Sequence, residues 1–298
     1  MGDASKLGRR EGQTSVFQAI VLGITQGLTE FAPVSSSGHL ILVPWMFHWP
    51  ILTNETLNKT FDVALHMGTF LGAVAYFWRD IVRYVRAWIR SIRNRRIQTV
   101  DERLAWALVI GTIPGAIAGA LGEDIIDKKL GQPWLIAVML AVFGVVLYVV
   151  DRRAPQRRDM RGIALKHGVI IGLAQAVALQ PGVSRSGVTI TAGRALQLRR
   201  EAAARFSFLL SLPIIGGAGL YKGSKILLGK EHIPAGFGAA FAWGIVASAI
   251  SGFLVIWGLL AYLRRRNFAP FVVYRLALAA LVLVLIALPH WGATIPSS

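Results

Sequence analysis

Apolar residues in this chain are grouped into eight long stretches, and short polar or basic segments separate them. A helix needs about 20 consecutive, mostly apolar residues to cross a bilayer. Six stretches approach or exceed this length without interruption: 61–78, 104–122, 133–150, 203–221, 238–263 and 271–289. Two more, 16–49 and 163–193, are apolar but are broken in the middle by Ala32-Pro33 and by Pro181-Gly182. The pattern predicts an all-α integral membrane protein with six full spans and two broken helical hairpins.

The two broken stretches repeat one another. Residues 23–38 read GITQGLTEFAPVSSSG and residues 172–187 read GLAQAVALQPGVSRSG, and the matching positions Ser35 and Ser184 are 149 residues apart. Paired interrupted segments in the two halves of a membrane protein point to a central binding site. We therefore expect two repeats, 1–155 and 156–298, each with a broken hairpin followed by three spans.

The positively charged residues are concentrated in the segments between the apolar stretches. The formal net charge is +17, and arginines are concentrated in four segments between apolar stretches: 79–96, 152–161, 194–205 and 264–266. Because Lys and Arg accumulate in cytoplasmic loops, these four are assigned to the inside, and residues 50–60, 123–127 and the loop near Gly229 then lie outside. Each broken hairpin must enter and leave on one side. Three spans separate the two hairpins, so the second repeat is inverted.

The amino-acid composition excludes several classes of protein function. Hydrophobic residues make up 54% of the 298 residues, and the mean hydropathy of +0.55 excludes a soluble enzyme. The sequence has no soluble basic module interleaved with aromatic residues, so we expect no nucleic-acid binding. The chain has no cysteine, which excludes disulfides and thiolate catalysis.

Each broken hairpin contains a polar turn with the components of a phosphate site. Pro33 and the Pro181-Gly182 pair end one half-helix, and the serines that follow are good N-caps for the next. Non-helical backbone inside a membrane is tolerated only where protein or a wet cavity covers it, so the two turns are expected to meet. Helix N-termini, serine hydroxyls and Arg185 then converge on one cavity. Arg185 either binds the ligand or neutralises Glu30 as an internal ion pair.

The first hairpin also carries the acidic and titratable groups. Gln26 and Glu30 are four residues apart and therefore share one helix face. Glu30 is the only acid in this stretch, and it is a candidate metal ligand, general base or counter-ion of Arg185. His39, three residues after Ser36, is a candidate proton-transfer group. The remaining histidines of the apolar segments do not lie beside a serine-rich turn and an acidic residue as His39 does, and they are expected to be structural: His48, His66 and His167.

The strings QGLTEFAPVSSSGH at 26–39 and PGVSRSGVT at 181–189 resemble the two signature regions of the undecaprenyl-diphosphate phosphatase family, the bacitracin resistance proteins. The resemblance covers nearly the whole chain. It implies a multi-pass enzyme of the bacterial inner membrane with an active site that faces the outer side. The implied substrate is a polyprenyl diphosphate lipid, and the product is the monophosphate carrier used in peptidoglycan synthesis. Whether the chain forms a homodimer is left open.

The same resemblance implies a role for each motif residue. It implies a divalent metal, Mg²⁺ or Ca²⁺, held by Glu30 and Gln26, and catalytic roles for Glu30, Ser36, His39 and Arg185. Other polar residues are implied substrate ligands: Gln26, Ser35, Ser37, Ser184, Ser186 and Thr189. The first acidic position of the family pattern is Gln26 here, so Glu30 carries more of the expected metal affinity. Either Ser36 or a water molecule is the nucleophile.

Three other functions fit parts of the pattern. A transporter or flippase of polyprenyl phosphate lipids also uses inverted repeats with broken helices, and turnover by purified protein in detergent separates it from a phosphatase. A type-2 phosphatidic-acid phosphatase requires His and Asp where this chain has Thr191 and Ala195, which excludes that class. A non-catalytic scaffold is disfavoured, because ionisable residues inside a membrane cost free energy and a scaffold gives Glu30, His39 and Arg185 no function.

Overall fold

The computed structural model describes residues 15–49, 55–228, 237–289 and 291 of the chain. Within these residues the protein is all-helical, and one isolated bridge between Arg158 and Leu198 is the extent of its β pairing. The α-helices follow in this order: α1 Val16–Phe31, α2 Ser36–Met46, α3 Glu55–Asn94, α4 Val100–Lys129, α5 Pro133–Arg153, α6 Leu165–Val177, α7 Arg185–Ala195, α8 Arg200–Leu227, α9 Gly238–Leu263 and α10 Ala269–Ile286.

Five helices are long and apolar enough to cross a membrane. They confirm five of the six predicted spans and are found at Val100–Leu121, Pro133–Arg153, Arg200–Lys225, Gly238–Leu263 and Ala269–Ile286. The remaining predicted span, 61–78, lies inside the 40-residue helix α3 and is not among the five. Polar residues explain this difference, because Asp62 and His66 interrupt its apolar run and Arg79 follows it directly.

Several segments that the charge pattern assigns to the outside cannot be compared with this fold. Residues 50–54 and the loop near Gly229 lie outside the described residues, as do the side chains of residues 123–127. The assignment of these segments to the outer side therefore stays a prediction.

Both predicted helix breaks are confirmed, and the two turns share one backbone conformation. The first turn, residues 32–35, separates α1 from α2, and the second turn, residues 178–184, separates α6 from α7. Ser35 and Ser184 are the N-caps of α2 and α7, and each has a φ of 76°. Each hydroxyl accepts a hydrogen bond from the backbone N–H three residues later, at 3.3 Å and 3.0 Å. A left-handed φ at a non-glycine residue is costly and tends to occur at functional sites.

Glycines bring the first helix of each hairpin into close contact with a long helix. In α1, a Cβ atom added to Gly27 would lie 1.9 Å from the Ser251 hydroxyl oxygen of α9. In α6, a Cβ added to Gly172 would lie 2.3 Å from the carbonyl oxygen of Gly111 in α4. Small residues allow such approach between apolar helices. Both hairpins are therefore seated on long helices, which positions the two turns.

Candidate active site

The two turns contact each other, as the sequence predicts. The Ser35 hydroxyl oxygen accepts a hydrogen bond at 3.0 Å from the backbone N–H of Gly182 in the second turn. In return, the Ser186 hydroxyl donates to the carbonyl oxygen of Ala32 in the first turn at 2.9 Å. Ser35 and Ser186 are buried. The N-termini of α2 and α7 are thereby held side by side.

Arg275 of α10 donates hydrogen bonds to both turns, and the sequence analysis did not identify it as a site residue. Its fully buried guanidinium donates to the carbonyl oxygens of Pro33 at 3.1 Å, Gly182 at 2.9 Å and Val183 at 3.1 Å. It also donates to two carbonyls of α5, those of Leu140 and Met139. An arginine in the predicted span 271–289 is expensive in a membrane, and this was the signal that marked it as important.

Glu30 is the centre of a cluster that joins the two halves of the chain. Its Oε2 atom accepts hydrogen bonds from the Gln26 amide at 3.0 Å and from the Ser36 hydroxyl at 2.6 Å. Its Oε1 atom lies 3.4 Å from Nη2 of Arg185, the first residue of α7. The predicted shared face of Gln26 and Glu30 is confirmed. The proximity of Arg185 fits both of its proposed roles, ligand binding and neutralisation of Glu30.

His66 also belongs to this cluster, so the expectation that it lies apart from the polar residues of the site is wrong. Its Nε2 atom lies 3.5 Å from Oε2 of Glu30, and its Nδ1 atom bonds the carbonyl oxygen of Asp62 at 2.8 Å. Asp62 and His66 share one face of α3 because they are four residues apart. That spacing was the available signal, but local sequence does not reveal that this face meets α1.

His39 lies beside the turn in a different setting from the predicted one. Its Nδ1 atom bonds the carbonyl oxygen of Ser35 at 2.6 Å, and its Nε2 atom bonds the Tyr274 hydroxyl at 2.7 Å. The two rings are stacked with centroids 5.6 Å apart. Both ring nitrogens are thus engaged by the Ser35 carbonyl and Tyr274. Proton transfer by His39 to or from Ser36 stays a prediction.

The other implied substrate ligands line the two turns and the start of α7. Ser37 lies 3.5 Å from the Ser35 hydroxyl, and Ser184 lies 3.2 Å from the Ser186 hydroxyl. Thr189 donates to the carbonyl oxygen of Arg185 at 2.7 Å, and its hydroxyl is 2.6 Å from that of Ser207 in α8. These hydroxyls already stabilise the turn geometry, and their contact with substrate stays a prediction.

Two buried polar atoms of the cluster have no partner among the described residues. They are Oε1 of Gln26 and Nη1 of Arg185. A buried polar group without a hydrogen bond is costly, and such atoms in a protein call for an explanation such as a ligand, ion or water. One atom is an acceptor and the other a donor, so the cluster has capacity both for a cation and for an anionic oxygen.

The donor atoms fit a hard divalent cation. Glu30 offers a carboxylate, and Gln26 offers an amide oxygen that has no hydrogen-bond partner in the described part of the chain. Mg²⁺ and Ca²⁺ prefer oxygen ligands of these kinds. Within the described part of the chain, no group of three or more His, Asp or Glu side chains is arranged to hold a metal. A cation here would therefore complete its coordination with oxygens of water or substrate.

Comparison with known proteins yields a consistent set of relatives. A family model described as bacitracin resistance protein BacA matches residues 19–281. A protein of Pelotomaculum thermopropionicum named undecaprenyl-diphosphatase is 49% identical over 280 residues, which cover 93% of this chain and 99% of the relative. Proteins of the same name from Desulforudis audaxviator and Thermomicrobium roseum are 46% and 43% identical, and they cover 90% and 92% of this chain and 97% and 99% of their own.

Proposed function

The chain belongs to the bacitracin resistance protein BacA family, and we propose that it hydrolyses undecaprenyl diphosphate to undecaprenyl phosphate. This reaction recycles the lipid carrier of cell-wall synthesis and gives resistance to bacitracin. The observation that carries the proposal is the pairing of Arg185 with Glu30 through Nη2, while its buried Nη1 has no hydrogen-bond partner among the described residues. A phosphate oxygen would supply the missing partner.

Several positive elements of the cluster suit a diphosphate. Ser36 and Arg185 are the first residues of α2 and α7, so two helix N-termini lie next to each other at the turns. Helix N-termini attract phosphate through free N–H groups and the helix dipole. Arginine adds planar paired donors. Phosphoryl transfer depends mainly on positioning and charge stabilisation, which these elements supply.

A divalent cation, Mg²⁺ or Ca²⁺, is part of the proposal. Glu30 and the Oε1 atom of Gln26 would hold it. When bound, the cation would supply positive charge to the oxygens of the diphosphate. Both residues are in α1, so the ion would belong to the first half of the chain and Arg185 to the second.

Glu30 also sets up the nucleophile. The Ser36 hydroxyl donates to Glu30 at 2.6 Å, so the carboxylate is placed to accept its proton. Either a water molecule held at the same carboxylate attacks the terminal phosphorus, which releases inorganic phosphate and undecaprenyl phosphate, or Ser36 attacks it and undecaprenyl phosphate leaves. In the second route, water then hydrolyses the phosphoserine and releases inorganic phosphate. His39 remains the proposed proton-transfer group, with its ring oriented by Tyr274. His66, at 3.5 Å from Glu30, would add positive charge when protonated.

The membrane arrangement completes the proposal. Residues 1–155 and 156–298 form two inverted repeats, and their broken hairpins are re-entrant, with α3 as the sixth span. The site opens to the outer side of the inner membrane. Support comes from the sequence repeat and from the equal N-cap geometry of Ser35 and Ser184.

The experiment is phosphate release from a polyprenyl diphosphate by purified protein in detergent, with and without a chelator. We expect turnover that the chelator removes, and Glu30→Gln to lose more than about tenfold in rate, or roughly 1.4 kcal/mol of barrier. Glu201→Gln is the control, because Glu201 pairs instead with Arg264 at 3.1 Å. An active Glu30→Gln variant contradicts the role of Glu30, and absence of turnover by the wild type favours the transporter.

A further inference from the structure

An apolar cavity of about 500 Å³ lies between α3, α4 and α8. Its walls include Phe70, Tyr84 and Trp88 of α3, Leu108 of α4 and Leu212 of α8. Several of the apolar side chains that line it are exposed at the surface, so this space is an open groove between helices and not an interior void. A cavity of this size with aromatic and aliphatic walls therefore points to an apolar chain that fills it.

A polar pocket of about 320 Å³ adjoins this cavity. Four arginines and three acidic side chains line it, which leaves a net formal charge of one positive: Arg83, Arg161, Arg199, Arg205, Asp80, Asp159 and Glu201. Arg205 pairs with Asp80 at 2.5 Å, and Arg83 pairs with Asp101. Within the described residues, the guanidinium groups of Arg161 and Arg199 form no hydrogen bond or ion pair. These two arginines can bind an anion.

Tyr84 lines both spaces, so they adjoin each other and together make one amphipathic candidate site. The chain neighbours Leu104 and Ala105 repeat this arrangement on α4, with one lining each space. A molecule that fills the site therefore needs an anionic group at one end and an apolar chain at the other. In a membrane, that description fits a lipid.

We propose that this site binds an anionic phospholipid whose phosphodiester headgroup has a net charge of minus one. The phosphodiester lies between Arg161 and Arg199, where arginine donors suit its oxygens, and one acyl chain fills the cavity between α3, α4 and α8. The single negative charge matches the net positive charge of the pocket. A phosphate monoester such as undecaprenyl phosphate carries about 1.5 to 2 negative charges near neutral pH and matches it less well. Basic clusters at membrane surfaces attract anionic lipids in general.

The first test compares lipids in melting curves of the full chain in neutral detergent. Phosphatidylglycerol should raise Tm more than phosphatidylcholine, because a ligand that binds only the folded state stabilises it. The double variant Arg161→Gln/Arg199→Gln should lose most of this difference. The matched control is Arg265→Gln/Arg266→Gln, which removes two exposed arginines outside the pocket and should keep the difference.

The second test fills the apolar cavity. Gly217 lines it, and an added Cβ there meets no atom within 4 Å, so Gly217→Trp should fold and compete with the acyl chain. Gly223→Trp, on the same helix and also without a neighbour within 4 Å, is the control outside the cavity. The Gly217→Trp variant should lose the gain from phosphatidylglycerol, and the control should keep it.

Three results overturn the proposal. The headgroup site is wrong if Arg161→Gln/Arg199→Gln keeps the full difference between the two lipids. The chain site is wrong if Gly217→Trp keeps it. The choice of lipid is wrong if the part of the Tm gain that Arg161→Gln/Arg199→Gln removes is larger for undecaprenyl phosphate than for phosphatidylglycerol at equal concentration.

Discussion

Arg185→Lys tests whether this side chain binds the diphosphate or only neutralises Glu30. Lysine keeps a positive charge next to Glu30 but lacks the planar pair of donors of arginine. The substitution therefore removes the buried Nη1 donor of Arg185. A hydrogen bond to a charged group contributes about 1.5–3 kcal/mol, which corresponds to about a 10- to 150-fold loss in kcat/KM. Much of the loss should be in kcat, because the oxygens that Arg185 contacts gain charge in the transition state.

The assay is phosphate release from a soluble short-chain prenyl diphosphate, measured with purified protein in detergent beside a melting curve. Arg194→Lys is the control in the same helix. Arg194 is fully buried and bonds Asp151 at 2.8 Å, and it also bonds the carbonyls of Ala154 and Leu198. Its substitution should lower Tm and leave kcat/KM of the folded protein close to wild type.

Near-wild-type kinetics for Arg185→Lys would refute the reasoning. Arg185 would then be the counter-charge of Glu30, and phosphate binding would rest on the helix N-termini and the cation. A lower Tm without a change in kcat/KM would lead to the same conclusion, because a side chain that binds the diphosphate must change kcat/KM when it is substituted.

Three further predictions concern the cation, the turns and the topology. Gln26→Glu should stay active and reach half-maximal rate at a lower Mg²⁺ concentration, because it adds a carboxylate; a dead enzyme would show that the Gln26 amide is needed as a donor. Arg275→Met should lower the free energy of unfolding by about 3 kcal/mol or more, since three turn carbonyls lose their donor at about 1–3 kcal/mol each; an unchanged Tm would contradict this. Single cysteines at Asn54 and Arg93 should react with impermeant reagents from opposite sides, and labelling from one side would refute the inverted repeats.

Local sequence was sufficient for the parts of the site that depend on neighbours along the chain. The first half-helix ends at Phe31, directly before Ala32-Pro33, as expected, whereas the second ends at Val177, four residues before Pro181. The spacing of Gln26 and Glu30 placed them on one face. The meeting of the two turns followed from a general constraint, because a polar turn at membrane depth must be covered.

Contacts between distant segments were not predictable in the same way. His66 reaches Glu30 from α3, and Tyr274 reaches His39 across 235 residues. Arg275 contacts the turns across 92 to 242 residues. No periodicity within one segment encodes which faces of two helices meet. His39 illustrates the limit, since its neighbours in sequence suggested Ser36 as its partner while the fold supplied Tyr274.

The long-range bonds of the first turn have a consequence for biosynthesis. The partner of Ser35 is Gly182, 147 residues later, and the partner of Pro33 is Arg275, 242 residues later. At about 5–20 residues per second, a ribosome needs roughly 12–48 s to add 242 residues. Until Arg275 has been made, the first turn lacks part of its permanent set of partners, so it must remain near water or the insertion machinery. A chain that stops before α10 would leave the carbonyl oxygens of Pro33, Gly182 and Val183 without the Arg275 donor.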